Sequence, residues 1–367
     1  MADLRVQNFA KLLVEHSVDI QPGDRVLLET TILGEELFLE LYKQILEHGG
    51  HPYSYIQHPA QREILLTTGA EEQIRHIDQL KSLAYENFES RIRVWSEGNT
   101  KATGNVKPEN QSALLKAESP IMKTQMKRGA DEDFKWLTTM TPTQAYAQQA
   151  GMGFEEYKDF FYRAAHVMED NPVDYWKQIK VNQAKYAEAL TGHDKVELRG
   201  PNVELSLSIK GRTWISSYGK HNMPDGEVHT GPVENSVNGW VRYTYPAQYR
   251  GTVVEGAELK FKDGKVVEAK ARTNQDFMRQ LLKTDEGASY VGEFAIGLND
   301  DIDRFTGFIL LDEKIGGSFH MAVGAGYPQS GSKNTSSVHW DMICDLRSDS
   351  EILVDGEVFY KNGKFLI

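Results

Sequence analysis

RVLLETTILGEELFLELYKQILEHGGHPYSYI, residues 25–56, decides how the N-terminal part folds. Arg25-Val26-Leu27-Leu28 is a short apolar run after the breaker Pro22-Gly23-Asp24, and it reads as a strand. Glu35 to His48 has helical spacing and stops at Gly49-Gly50, where a glycine suits the left-handed cap of a helix end. His51 to Ile56 then returns to strand. Strand, helix and strand with short links predict a parallel sheet with crossover helices. Upstream, Val6, Phe9, Leu12 and Leu13 recur at helical spacing; downstream, Arg91 to Trp95 is a further strand. The turn Glu29-Thr30-Thr31-Ile32-Leu33-Gly34 holds one glycine. A dinucleotide loop needs several, so that backbone can approach a pyrophosphate. This half therefore reads as structural or substrate-shaping.

Working outward, residues 131–190 look mainly helical, with Phe154 to Met168 and Val173 to Leu190 the clearest segments. After His193 the texture changes. Val196-Glu197-Leu198-Arg199 and Val203-Glu204-Leu205-Ser206-Leu207 alternate with period two. Asp263-Gly264, Asp355-Gly356 and Asn362-Gly363 are hairpin turns, and a helix is expected near Asp276 to Leu282. The expected fold is an α/β N-terminal domain with a parallel sheet, residues 1–192, and a β-rich α+β C-terminal metal-binding domain, residues 193–367. A chain of 367 residues is too long for one typical core and suits this division.

Composition narrows the function. The formal charge is −12, with no basic run to offset it, so nucleic acid is not an expected partner. Such a chain suits hard cations, or substrates carrying a free ammonium group. No apolar run is long enough to span a membrane, and Met1-Ala2-Asp3-Leu4-Arg5 does not begin a secretion signal. The single cysteine, Cys344, permits neither an internal disulfide nor a thiolate zinc cluster. The expected location is the cytoplasm.

The chemistry concentrates between Asn222 and Asp345. In His339-Trp340-Asp341 the first and third residues face the same way on a strand, bringing a nitrogen and a carboxylate together for zinc, cobalt or manganese. Alone, such a triplet is more often a surface strand pair. His320 follows Gly316-Gly317-Ser318-Phe319, and Tyr327 lies in Gly324-Ala325-Gly326-Tyr327-Pro328, where glycines suit close backbone approach. Glu227 follows the turn Pro224-Asp225-Gly226, and His229 shares its facing. Glu293 sits in the apolar run Tyr290-Val291-Gly292-Glu293-Phe294-Ala295-Ile296-Gly297, where a carboxylate must face water or find a partner. There is no H-E-x-x-H and no G-x-S-x-G, so neither a zincin nor a serine nucleophile is indicated.

Asn222-Met223-Pro224-Asp225-Gly226-Glu227-Val228, Gly292-Glu293, His320 with Tyr327, and His339-x-Asp341 together resemble the aminopeptidase T and aminopeptidase S family of thermophilic metalloaminopeptidases. The resemblance covers nearly the whole chain, though the N-terminal third is generic. It implies metal ligands at Glu227, Glu293, His320, His339 and Asp341, a catalytic Tyr327, and two divalent ions (cobalt, zinc, manganese or magnesium). It leaves His229 outside the ligand set. Glu293 is the expected proton shuttle, with Glu227 as competitor. The implied activity is release of N-terminal residues from short peptides by a two-metal-activated water, in a homodimer. The stretch between Tyr327 and His339, which shapes the cleft, is abbreviated relative to the family pattern. Two other readings fit the same ligands: a dinuclear hydrolase acting on other amides or phosphoesters, and a non-catalytic, metal-stabilised binding protein.

Overall fold

Apolar spacing builds the first helix of the computed structural model, which describes residues 3–366. Helix α1 (Leu4–Leu12) buries Val6, Phe9, Ala10 and Leu12, and Asp3 caps it by accepting from the Arg5 amide. The chain divides into two compact units. One runs to Lys177 and takes back Gly219–Pro224; the other comprises Gln178–Tyr218 and Asp225 onward. The helix Pro172–Leu190 runs through this division, and the boundary expected near residue 192 lies just past its end.

The first unit holds the parallel sheet read from residues 25–56. Strands β1 (Arg25–Thr31), β2 (His51–Gln57), β3 (Ser90–Trp95) and β4 (Lys135–Met140) pair in the order β2-β1-β3-β4, and Asn222–Met223 joins beyond β4. All these pairs are parallel. Helix α2 (Glu35–Glu47) turns Leu37, Phe38, Leu41 and Ile45 inward, the spacing of one helix face. The helix expected to reach Met168 ends at Ala164, and His166 follows with a left-handed φ of 53°.

The second unit packs two large antiparallel sheets over one apolar core, with a small two-stranded sheet, 247–249 and 252–254, beside them. An eight-stranded sheet orders 265–270, 258–262, 238–242, 203–208, 195–200, 351–354, 357–361 and 364–365. At three of its four two-residue turns, Asp263 and Gly264, Asp355 and Gly356, and Asn362 and Gly363 all have positive φ. That backbone is what two-residue hairpins of the favoured twist require. The second sheet contains β5 (Ile215–Ser217), β6 (Glu227–Thr230), β7 (Val291–Gly297), β8 (Ser318–Gly324) and β9 (His339–Asp345), in the order β9-β8-β7-β6-β5. Val228, Phe294, Ile296, Phe319, Met321, Trp340 and Met342 join Leu198, Leu205, Val241 and Leu259 in the shared core. The period of two then sends the intervening residues of β6 to β9 to the opposite face.

Candidate metal centre

That opposite face is built by register. Asp341 pairs with Ala322, which pairs with Glu293. His320 pairs with Ala295, which pairs with His229, while Glu227 lies opposite Gly297 and His339 opposite Gly324. Donor side chains therefore alternate across the sheet with alanine or glycine, leaving each donor room beside its neighbour. Two glycines are obligatory here. At Gly324, with φ of +100°, a Cβ would lie 2.0 Å from the Val338 carbonyl oxygen, and at Gly292 it would lie 2.2 Å from that of Ala325. Register shifts at Gly292, between Val291 and Glu293, a bulge of the kind that re-aims a side chain.

Three overlapping sets of donor atoms result: Glu227, His229 and Glu293; Glu293, His339 and Asp341; Glu313, His320 and Asp341. Within each set the atoms lie within 4.8 Å of one another. Glu293 and Asp341 each belong to two sets. All five residues expected as ligands thus meet in one cluster, and two more come with them. His229 was visible in the strand alternation of β6. Glu313 was not, because Asp312-Glu313-Lys314 before Gly316-Gly317 reads as a solvated turn.

Contacts inside the cluster show which atoms are committed. His339 Nδ1 lies 2.8 Å from the Ala325 carbonyl oxygen. Donation of Nδ1–H there turns Nε2 toward the carboxylates, 3.4 Å from both Glu293 Oε2 and Asp341 Oδ1. His320 Nε2 is 3.5 Å from Glu227 Oε2, and His229 Nδ1 is 3.1 Å from Glu293 Oε1. Yet Glu227 Oε2 and His320 Nδ1 are buried without a hydrogen-bond partner. Buried acceptors and ring nitrogens left this way carry a desolvation cost that bound cations would offset. The donor set, imidazole and carboxylate without thiolate, suits divalent cations of intermediate hardness, and the residues fit that group.

Lys314 lies beneath the carboxylates, 1% exposed. Its Nζ is 2.7 Å from Glu227 Oε1, 2.9 Å from Glu313 Oε1 and 3.6 Å from Asp225 Oδ1. Burial pushes Glu227 toward protonation, but Lys314, His320 and His229 outweigh it and hold the carboxylate below its usual range. Burial also drives Glu313 up to about 7, aided by Glu227 and Asp341 against Lys314. For His339, burial favours the neutral ring, but Asp341 and Glu293 raise it to about 10. Tyr327 stands edge-on to His229 and His339, with ring centroids 5.4 Å and 5.6 Å away. Desolvation, then Glu293 and Asp341, hold its phenol protonated well above the usual range. Tyr327, 37% exposed, and His339 mark the solvent side, whereas Glu227, His320 and Lys314 form the floor.

A histidine and carboxylate cluster with uncommitted donors, on a sheet face cleared by small residues, is a candidate centre for divalent cations. The model of the thermophilic metalloproteases (M29) matches residues 2–365, and the chain belongs to that family. It is a metalloaminopeptidase, as its motifs imply, and a divalent cation belongs to its chemistry. Aminopeptidase 2 of Geobacillus stearothermophilus is 25% identical over 399 residues, covering 98% of this chain and 95% of the relative. The structure described as wild-type AmpT from Thermus thermophilus superposes with a TM-score of 0.86 at 22% identity, covering 99% of both chains. A structure described as 2,5-dihydroxypyridine dioxygenase from Pseudomonas putida KT2440 shares the fold, with a TM-score of 0.58 at 11% identity over 99% of this chain and 96% of that one. Fold alone therefore does not fix the reaction, and the site must be read by its own chemistry.

Proposed function

We propose that this enzyme removes N-terminal residues from short peptides with water activated at two divalent cations. Charge is the observation that carries the reading. Glu227, Glu293, Glu313 and Asp341 converge, Asp225 adjoins through Lys314, and Lys314 is the ammonium set among them. The carboxylates outnumber the chain's own ammonium five to one, an excess of anionic oxygens that divalent cations would balance.

Glu227, Glu293, His320, His339 and Asp341 are the proposed ligands, with His229 and Glu313 within reach of the same positions. When bound, such cations polarise a carbonyl and lower the pKa of a water toward neutrality. The chain's residues supply the rest. The protonated Tyr327 phenol, on the solvent side, donates to the carbonyl oxygen as negative charge develops there, where such a donor stabilises most. Glu293 carries the proton from the attacking water to the leaving amine. Glu227 is less suited to that task, because Lys314 and Ser217 engage its Oε1. A bound cation would also accept the neutral α-amino group of a peptide, which fits removal of the first residue.

The reading includes a cytoplasmic homodimer. One buried free cysteine and the lack, among the described residues, of a helix long and apolar enough to cross a membrane accord with the location. The dimer rests on the family resemblance. To test the activity, the protein is stripped with a chelator and given back cobalt, zinc, manganese or magnesium while hydrolysis of a leucyl chromogenic amide is followed. Activity should fall to background and return with at least one cation. Failure of every cation to restore hydrolysis of any amino-acid amide or short peptide refutes the reading. Tyr327→Phe should lower turnover about a hundredfold at unchanged metal content; normal turnover would remove the phenol from the mechanism.

A further inference from the structure

We propose that Lys314 is a positioning residue of the metal centre: its ammonium holds one oxygen of Glu227, so that the other is presented to the bound cation. The inference rests on the metal-centre reading above.

The segment bearing Lys314 is fixed by backbone contacts. The Asn299 amide donates to the Lys314 carbonyl at 3.1 Å, and the Gly316 amide donates to the Asn299 carbonyl at 2.9 Å. The same extension of β7 holds the turn before Glu227: the Leu298 amide donates to the Gly226 carbonyl at 2.9 Å, and Asn299 Nδ2 donates to the Asp225 carbonyl at 2.8 Å. Residues 298 and 299 thereby set the separation between the Lys314 stem and the Glu227 strand. Across that separation Nζ meets Glu227 Oε1 at 2.7 Å, and Ser217, opposite Glu227 in the register of β5 and β6, donates to the same oxygen at 3.2 Å. Glu227 Oε2 is left without a hydrogen-bond partner, beside His320.

Two donors on one oxygen and none on the other select a rotamer. A carboxylate held this way offers one oxygen to a cation without first giving up a contact, the usual task of groups behind a metal's ligands. Lys314 also ties Glu313 at 2.9 Å, so a single ammonium braces carboxylates in two of the donor sets. At 1% exposure, beneath those carboxylates, it does not reach substrate and is not itself catalytic.

The test is Mn2+ titration of the full-length, chelator-stripped protein by calorimetry, with thermal melting in parallel. Lys314→Met should weaken Mn2+ binding by about ten- to a hundredfold. Ser217→Ala, removing the second donor to the same oxygen, should weaken it by about two- to tenfold. A lysine that only supported the fold would lower the melting temperature and leave the affinity of the folded protein unchanged. Wild-type affinity in both variants overturns the proposal. So does tighter binding in Lys314→Met, the result expected if the ammonium merely repelled cations. Should Lys314→Met not fold, Ser217→Ala decides alone. A wild-type protein that binds no Mn2+, Co2+ or Zn2+ removes the metal centre itself, a separate failure.

Discussion

Glu29 on β1 and Glu227 on β6 are buried to the same degree, each 5% exposed, in different units of the molecule. Glu29 is closed on itself. Tyr85 donates to its Oε1 at 2.6 Å, Arg93 Nε to its Oε2 at 3.0 Å, and Lys81 Nζ stands 3.2 Å from that same Oε2. Glu227 has both donors on one oxygen and none on the other. Burial alone thus does not mark a functional carboxylate; these two differ in how their partners are distributed over the two oxygens. In the first unit cations supplied by the chain complete the charge, and the result is structural. In the second unit the chain supplies one ammonium for several carboxylates, and the balance must come from outside.

Substitution on either side sharpens that contrast. The largest effect is expected in the open cluster: Asp341→Asn, which weakens two donor sets together, should lower turnover about a thousandfold, the worth of roughly 4 kcal/mol of transition-state charge stabilisation. Metal analysis and kinetics on the folded variant check this, and near-normal values for both would erase the distinction. The closed cluster should respond in stability instead. Glu29→Gln leaves Arg93 and Lys81 short of a counter-charge and should cost about 3 kcal/mol in a denaturant titration, with turnover per folded molecule unchanged. The smaller, pH-dependent part has a definite sign. Burial raises the Glu29 pKa, but Arg93, Lys81 and Arg91 overcome this and hold it far below its ordinary value of 4.5. Its contribution is therefore fully present above pH 4.5 and is lost as pH falls below that value. The stability gap between wild type and Glu29→Gln should narrow on acidification in that range. A gap that stayed constant or widened would show the ion pairs are not its source.

Much of the fold was legible because it follows local rules. The strand, helix and strand of residues 25–56 and the three glycine hairpin turns need only short windows of sequence. Strand alternation also foretold that His339 faces with Asp341, and Glu227 with His229. Glu313 and Lys314 lay beyond such rules. Their burial depends on backbone hydrogen bonding between Asn299 and the 314–316 segment, and nothing in a charged triplet before two glycines announces it. The helix ending at Ala164 is similar: apolar spacing continues, and the left-handed turn at His166 is what stops it.

The alanines and glycines that separate the donors on the sheet face have an evolutionary corollary. Ala295, Ala322, Gly297 and Gly324 bear no chemistry, so a search for inherited function that scores only reactive side chains passes over them. One methyl group added at Ala295 or Ala322 would crowd the donors paired on either side, His320 and His229 or Asp341 and Glu293, while leaving every ligand in the sequence. A lineage could lose catalysis through such mild replacements and still display the full motif, and the emptiness between its letters is where that loss should be sought.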